Sequence, residues 1–421
     1  MAVVFEPETL KQEIEKLLIF CEEQDIDCYF NGEEYEAPIE DDGEEVSIEE
    51  ERDDDDEQTL YTYDTTTELI LPGLESFEEF YFTLSEILHM VEESKNSKLI
   101  NDYILLSEKT ALIRIATNKN GFSFDTDHST EINIQDTNYK VDIKTGLTSF
   151  NLRLTIEGMY NKYVPPIEDD EKFIYISTDT SVNEKDLDII FNSYFFELKS
   201  TLGLEIHTNP WVYDLWDEEV ELEKAEKDLK LRQLIQGKGI QELLEIYRPA
   251  YNTDFPEQQI LTFSRVIEYV SQTVIHKDLI EKTVSKLSSS RALTPDANYI
   301  LELGKIYEEH KNLRKDFLAF KITIETCCDV YELVSVAPKF LKKTKKITIK
   351  SSSEDQKKAL EEIASSISST RNMFAHAKTN YELKGDECPM QYLHEFAKLM
   401  EIISQQIIRW FSRQHEDTRI I

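Results

Sequence analysis

The chain has 421 residues, 40% of them hydrophobic, and its formal net charge is −38 at pH 7. This length suffices for two or three domains that each bury a core. No run of about 18 apolar residues occurs, so no transmembrane helix is expected, and the N-terminus does not resemble a signal peptide. The five cysteines show no CxxC spacing. We therefore expect neither a zinc site nor disulfides, and a cytoplasmic location.

The negative charge is distributed unevenly along the chain. From Lys311 to the C-terminus there are 19 basic and 15 acidic residues, so this part is the only one with a net positive charge. The preceding residues carry 27 basic and 69 acidic side chains. Nucleic acid would be repelled by the acidic part and tolerated only by the C-terminal part.

Residues 1–31 are predicted to contain one amphipathic helix, from about Pro7 to Cys21. An acidic segment follows, and residues 33–57 hold 16 carboxylates and a single basic residue, Arg52. Such a composition cannot bury enough apolar surface to fold, so 32–58 is predicted to be a disordered linker. It is either a plain tether or a nucleic-acid mimic that covers the basic C-terminal surface.

Residues 59–212 are predicted to form an α+β module. β-Branched and aromatic runs separated by Asn, Asp and Gly indicate strands; they are Leu60–Tyr63, Tyr103–Leu106, Ala111–Ile115 and Phe173–Ile176. Helical periodicity covers Ser76–Glu93 and Glu184–Leu202. No GxGxxG or Walker pattern occurs, and no cofactor is expected.

One fragment of this module has the spacing of a metal-dependent nuclease site. Glu197-Leu198-Lys199, with Asp186 or Asp188 upstream, matches the E-x-K pattern, which those enzymes place on a strand. Here the surrounding apolar residues recur at steps of three and four, which indicates a helix. A structural role for the fragment is therefore favoured, and no metal site is predicted.

Beyond Trp211 the pattern is helical to the end of the chain, with residues 213–300 as a connector and 301–421 as a helical domain. A first helix of this domain is predicted from Phe317 to Tyr331, and a last one from about Pro389. Their apolar stripes are typical of a helical bundle or a dimer interface. The chain as a whole is thus predicted to be α+β, a mixed N-terminal module followed by an all-α C-terminal bundle.

The middle helix of this domain contains an unusual arginine. Leu360, Ile363, Ile367 and Phe374 form its apolar stripe, and Arg371 stands where another apolar residue would complete it. A guanidinium on a packing face requires a partner or a cleft.

A histidine follows this arginine by five positions. Asn372 and His376 lie one turn apart, so the amide could orient the imidazole. Arg371 and His376 are about 140° apart around the helix. Their convergence on one phosphate therefore requires a kink, a helix end or a second copy of the chain.

A lysine-rich connection precedes this helix. Within twelve residues after Pro338 it carries Lys339, Lys342, Lys343, Lys345, Lys346 and Lys350. It is either a solvated loop or a contact for a phosphate backbone, which would be independent of sequence and sensitive to salt.

The segment Thr370-Arg371-Asn372 followed by Phe374-Ala375-His376-Ala377-Lys378 resembles the R-N-x3-H signature of HEPN domains. The resemblance covers roughly the last 110 to 120 residues. It implies a helical bundle that dimerises and places two such motifs in a shared cleft. Many members are metal-independent ribonucleases of toxin or phage-defence systems.

By this resemblance His376 would take the proton of a ribose 2′-hydroxyl or protonate the leaving oxygen. Arg371 would stabilise the charge on the phosphoryl group, and Asn372 would position the histidine or the phosphate. The expected product is a 2′,3′-cyclic phosphate. RNA would be the partner, contacted also by Lys378 and by the lysine-rich connection.

An alternative function is a non-catalytic protein whose HEPN-like bundle only dimerises or binds a regulatory protein partner. The segment is also similar to that of mannitol-repressor-type proteins, for which nuclease activity is not implied. A DNA-binding repressor is less favoured, because the only basic patch is one lysine loop and no helix-turn-helix pattern occurs.

Overall fold

The computed structural model describes residues 3–31, 33–34, 59–72, 80–117, 128–160, 166–167, 171–208, 230–253, 255–313, 315–375 and 385–421. The chain forms two compact units. The first comprises Met1–Glu184 and Ile206–Lys230, and the second comprises Lys185–Glu205 and Leu231–Ile421. The predicted organisation, a mixed α/β N-terminal part and a helical C-terminal part, is confirmed at this level.

The first unit contains three helices and several strands among its described residues. Its helices are α1 (Leu10–Glu23), α2 (Leu84–Asn96) and α3 (Ser149–Ile156). Its strands are β1 (Val3–Phe5), β2 (Asp27–Phe30), β3 (Glu33–Glu34), β4 (Thr59–Tyr61), β5 (Thr66–Ile70), β6 (Phe80–Thr83), β7 (Lys98–Ile100), β8 (Ile104–Leu106), β9 (Thr110–Thr117), β10 (Thr130–Ile134), β11 (Thr137–Thr145), β12 (Lys172–Ser177) and β13 (Ile206–His207).

These strands form two main sheets. The smaller has the antiparallel order β3-β2-β5-β6. The larger has the order β10-β11-β12-β9-β8-β7, with β13 also pairing with β9. A parallel pair, β1-β4, stands apart. All four strand predictions of this region coincide with observed strands.

Two apolar clusters hold the first unit together. In one, α1 and α2 pack with the smaller sheet through residues such as Leu17, Ile87 and Leu69. In the other, Phe150 of α3 packs against Leu112 and other residues of the larger sheet. Because Leu152 of α3 belongs to the first cluster, α3 links the two cores.

The N-terminal residues are therefore part of this unit and not a separate helical segment. Strand β2 is hydrogen-bonded to β5, and α1 shares its core with α2. The first residues of the predicted disordered linker are also ordered, since Glu33 and Glu34 form β3 and pair with β2. The remainder of the acidic segment, 35–58, lies outside the described residues.

Helix α2 begins later than its periodicity suggests. Phe80–Thr83, which we assigned to the helix, is a strand paired with β5. The start is fixed by a capping box, in which the Glu86 N–H donates to the Thr83 hydroxyl (3.3 Å) and the Thr83 N–H donates to the Glu86 carboxylate (2.9 Å). The T-x-x-E spacing was a sequence signal for this boundary.

The described residues of the second unit form helices and connecting segments, without a β-strand. Its helices are α4 (Leu187–Leu202), α5 (Ile240–Tyr247), α6 (Pro256–Leu287), α7 (Ala297–Leu313), α8 (Asp316–Cys327), α9 (Val330–Val336), α10 (Ser353–Ala375) and α11 (Leu393–Ser412). The long helix α6 packs against α5, α7, α8, α10 and α11, and so forms the centre of the unit. No described helix is both long enough and apolar enough to cross a membrane.

The first predicted C-terminal helix is two helices in the structure. Helix α8 ends at Cys327, and Asp329 caps α9 by accepting a hydrogen bond from the Tyr331 N–H (3.0 Å). All cysteines are free. Burial raises the pKa of the Cys327 and Cys328 thiols, in agreement with a packing role.

Helix α4 belongs to the helical unit, although its sequence lies within the segment we assigned to the α+β module. Its buried Glu197 accepts hydrogen bonds from the Thr201 hydroxyl (2.7 Å), the Arg232 N–H (2.9 Å) and the Arg409 guanidinium (2.9 Å). Lys199 pairs with the Glu401 carboxylate at 3.3 Å. The E-x-K residues therefore lie on a helix, as predicted, and are used in packing.

Replacing Arg409 with Met should destabilise this unit. The Glu197 side chain is 1% exposed and would keep a buried charge without its guanidinium partner. We expect the free energy of unfolding to fall by about 3 kcal/mol in urea titrations. Arg413→Met, at an exposed position in the next turn, should change it by less than about 0.5 kcal/mol. Equal effects would show that Glu197 does not depend on Arg409.

Candidate functional site

The C-terminal half of α10 carries the residues that the sequence singles out. Leu360, Ile363 and Ile367 are buried, as the periodicity predicts, and Arg371 occupies the next position of this stripe. Its guanidinium forms an ion pair with the carboxylate of Glu268 on α6, at 2.8 Å. The apolar stripe of α10 therefore accommodates the positive charge of Arg371, because the facing helix α6 supplies the negative charge of Glu268.

Both members of this pair retain contact with solvent. The side chains of Arg371 and Glu268 are 25% and 38% exposed. A pair of this kind contributes little to stability, because water competes with each partner. The guanidinium is consequently held in place without being locked in a desolvated core.

Asn372 also contacts the guanidinium. Its side-chain oxygen accepts a hydrogen bond from Arg371 Nη1 at 3.0 Å. The predicted role of Asn372 toward His376 stays a prediction, because His376 and Lys378 lie outside the described residues. What the structure adds is that Asn372 positions Arg371.

The chain after residue 384 returns to the last turns of α10. The Cys388 N–H donates to the hydroxyl of the buried Thr370 (2.8 Å), and the Ser365 hydroxyl donates to Asp386 (2.8 Å). Burial also raises the pKa of the Cys388 thiol to about 12. These two hydrogen bonds attach the returning chain to the side chains of Ser365 and Thr370, directly before Arg371.

The lysine-rich connection is an ordered structure built on α10. Leu341, Thr344 and Ile347, at every third position, are buried, while the lysines between them are exposed. The Glu362 carboxylate accepts hydrogen bonds from the N–H groups of Lys343 (3.0 Å) and Thr344 (2.8 Å). It also accepts one from the Thr344 hydroxyl (2.9 Å).

All the lysines of this connection project from it. Lys339, Lys342, Lys343, Lys345, Lys346 and Lys350 are exposed. Within the described part of the chain none of them forms an ion pair, and Lys345 Nζ contacts the Val334 carbonyl at 3.1 Å. The connection is thus a cationic surface that is anchored to α10 through Glu362.

The structure does not bring this surface and Arg371 together on one side of α10. Glu362, which anchors the connection, precedes Arg371 by nine residues. At 1.5 Å and 100° per residue the two positions are about 14 Å apart along the helix and about 180° around it. An RNA chain bound to both would have to pass around α10 or engage two copies of the protein.

Glu268 is the residue that sequence reasoning missed. It lies in the 32-residue helix α6 next to buried Ile267, and no motif marks it. From the sequence, only the apolar periodicity of α6 would have indicated that Glu268 lies next to the buried face of this helix. In the described residues there is no cluster of three or more His, Cys, Asp or Glu side chains that could hold a metal ion.

Comparisons of this chain with protein-family models, with curated proteins and with solved structures found no match. The R-N-x3-H segment is therefore a local resemblance within a chain of otherwise unmatched sequence. Any functional conclusion rests on the chemistry and geometry of the residues above.

Glu362→Ala should free the lysine-rich connection from α10. It removes three hydrogen bonds to a carboxylate, which together contribute about 1.5–3 kcal/mol. The open population of the segment, and with it trypsin cleavage at its lysines, should rise at least about tenfold. Mass spectrometry of limited digests would locate the cuts.

Glu361→Ala is the matched control, because this neighbouring carboxylate pairs with Lys321 of α8 at 2.8 Å and not with the connection. Cleavage at the lysines should then stay at the wild-type rate. An unchanged rate in Glu362→Ala would contradict the anchoring role of Glu362.

Proposed function

We propose that this chain is a metal-independent endoribonuclease, of the kind found in toxin or phage-defence systems, whose helical unit acts as a HEPN-like dimer. The observation that carries the proposal is the position of Arg371. A partly exposed guanidinium is oriented by the Asn372 amide on a firmly supported helix end, five residues before His376.

The chemistry follows from these residue types. Arginine keeps its charge and can hold a phosphate through two N–H groups, and histidine exchanges protons near neutral pH. His376 of one copy would take the proton of a ribose 2′-hydroxyl as its oxygen attacks phosphorus. The bond to the 5′-oxygen breaks, this oxygen receives a proton, and a 2′,3′-cyclic phosphate and a 5′-hydroxyl remain. Arg371 would stabilise the charge on the phosphoryl oxygens.

A dimer is part of this proposal. The lysine-rich connection and Arg371 lie on opposite sides of α10, and Arg371 and His376 are about 140° apart on an ideal helix. A second copy of the chain would supply the missing side in each case. The exposed lysines would then hold the RNA backbone without regard to sequence.

A non-catalytic dimerisation or regulatory protein is the second candidate. The observation that favours it is the ion pair of Arg371 with Glu268, which already neutralises the guanidinium within one chain. In this case the R-N-x3-H segment would serve packing alone, and RNA would not be cleaved.

Incubation of the purified full-length chain with tRNA and total RNA in excess EDTA tests the first candidate. We expect fragments that end in cyclic phosphate, and their loss to background in Arg371→Ala and His376→Ala, because each removes a group that acts on the scissile phosphate. His394→Ala, on an exposed position of α11, should cleave at the wild-type rate.

Circular dichroism of each variant would check that folding is retained. Absence of cleavage by the wild-type chain would overturn the proposal and leave the second candidate. Cleavage that persists in Arg371→Ala and His376→Ala would place the active site elsewhere.

Glu268→Gln separates the two candidates further. Loss of the carboxylate charge frees the guanidinium for a phosphate, and the pair contributes at most about 1 kcal/mol because it is partly exposed. For a ribonuclease we therefore expect cleavage to increase about two- to fivefold in single-turnover assays. Glu281→Gln, exposed on the same helix, should have no effect. A decrease in Glu268→Gln would show that the carboxylate supports the reaction instead of competing with the phosphate.

A further inference from the structure

A cleft in the first unit is independent of the C-terminal site. It has a volume of about 410 Å³ and lies between α2, the end of β11 and the start of α3. Phe82, Met90 and Leu147 provide apolar walls. A cleft of this size that combines apolar walls with a few convergent polar groups is typical of a small-molecule site.

A carboxylate is fixed on the α2 side of this cleft. Glu93 accepts hydrogen bonds from the Ser149 hydroxyl (2.5 Å) and from the Thr110 hydroxyl. These residues come from α2, α3 and β9, so three elements hold the charge in place. Each carboxylate oxygen has a second lone pair and can accept a further hydrogen bond.

An ammonium group faces the same space. Lys144 of β11 is solvent-exposed as a residue, but its Nζ lies 3.7 Å from the centre of the Tyr175 ring. Among the described residues, neither this Nζ nor the Tyr175 hydroxyl has a hydrogen-bond partner, and Lys144 forms no ion pair. Desolvation in the cleft lowers the pKa of Lys144, and the carboxylates of Glu93, Asp142 and Glu86 oppose this shift.

The fixed charges restrict what can bind. Glu86 and Glu93 line the same cleft as Lys144, so these three groups carry a formal net charge of −1. A simple anion would satisfy Lys144 but would be repelled by the carboxylates, and a simple cation would leave Lys144 and the Tyr175 hydroxyl without an acceptor. A ligand that bears both charges satisfies both sides.

We propose that this cleft binds a small zwitterion of the α-amino-acid class with an apolar side chain. Its carboxylate accepts hydrogen bonds from Lys144 Nζ and the Tyr175 hydroxyl. Its ammonium group donates to Glu93. Its side chain lies against Phe82, Met90 and Leu147.

Isothermal titration of the full-length chain with leucine, methionine and phenylalanine tests this proposal. We expect at least one of them to bind. Its N-acetyl derivative, which lacks the ammonium, and its amide, which lacks the carboxylate, should each bind at least about tenfold more weakly, as expected for loss of a hydrogen bond to a charged group.

Absence of binding by all three amino acids up to millimolar concentration would overturn the proposal and leave the cleft a surface groove. Equal binding of the amino acid and its N-acetyl derivative would overturn the zwitterionic assignment, because a plain anion would then suffice.

Substitutions locate the binding site. Lys144→Met should weaken binding of the amino acid about tenfold or more, and Tyr175→Phe, which keeps the ring, should weaken it by a smaller factor. Lys140→Met is the matched control, because Lys140 is exposed on the same face of β11 but does not line the cleft. Unchanged affinity in Lys144→Met, with the melting temperature retained, would refute the assignment of Lys144. RNA cleavage plays no part in these measurements.

Discussion

The packing of α10 against α6 determines what the C-terminal residues can do. Helix α6 is the centre of the second unit, and its register places Glu268 opposite Arg371. This contact explains why an arginine can occupy a position in an apolar stripe, and it orients the guanidinium. The chain that follows α10 contacts the same turn of this helix, because the Cys388 N–H donates a hydrogen bond to the Thr370 hydroxyl. The guanidinium therefore keeps one orientation before any ligand arrives.

Charge is used differently in the two units. In the helical unit the lysines of the lysine-rich connection are exposed. The buried carboxylate of Glu197 on α4 is paired with the guanidinium of Arg409. In the α/β unit, carboxylates and Lys144 face a common cleft without complete pairing. The whole-chain charge conceals both arrangements. Long-range attraction of a polyanion would act through the exposed lysines, whereas the ligand proposed for the cleft would be selected by local complementarity.

The sequence predicted secondary-structure elements better than it predicted contacts between side chains that are distant in sequence. β-Branched and aromatic runs identified β8, β9 and β12 of the larger sheet, and the periodicity of α10 identified its buried face, because these signals are local. Strands β7, β10 and β11 of the same sheet were not predicted. The Thr83 capping box and the Asp329 cap, which decide where α2 and α9 begin, were present in the sequence but were outweighed by the apolar periodicity. The partners of Glu268 and Glu93 could not have been predicted, because Arg371 and Ser149 are about 100 and 56 positions away in the sequence. No spacing within one segment encodes such a contact.

The ion pair of Arg371 with Glu268 does not by itself oppose a catalytic role. An exposed pair contributes at most about 1 kcal/mol, since each charge exchanges a hydrated state for a partner that water screens. A charge-assisted, bidentate contact between a guanidinium and a phosphate is stronger than such a pair, and in the proposed ribonuclease the exposed lysines would add attraction for the RNA backbone. A phosphate can therefore displace Glu268 at small cost. A carboxylate that pairs with the guanidinium in the free chain and leaves on binding would also keep Arg371 oriented between binding events.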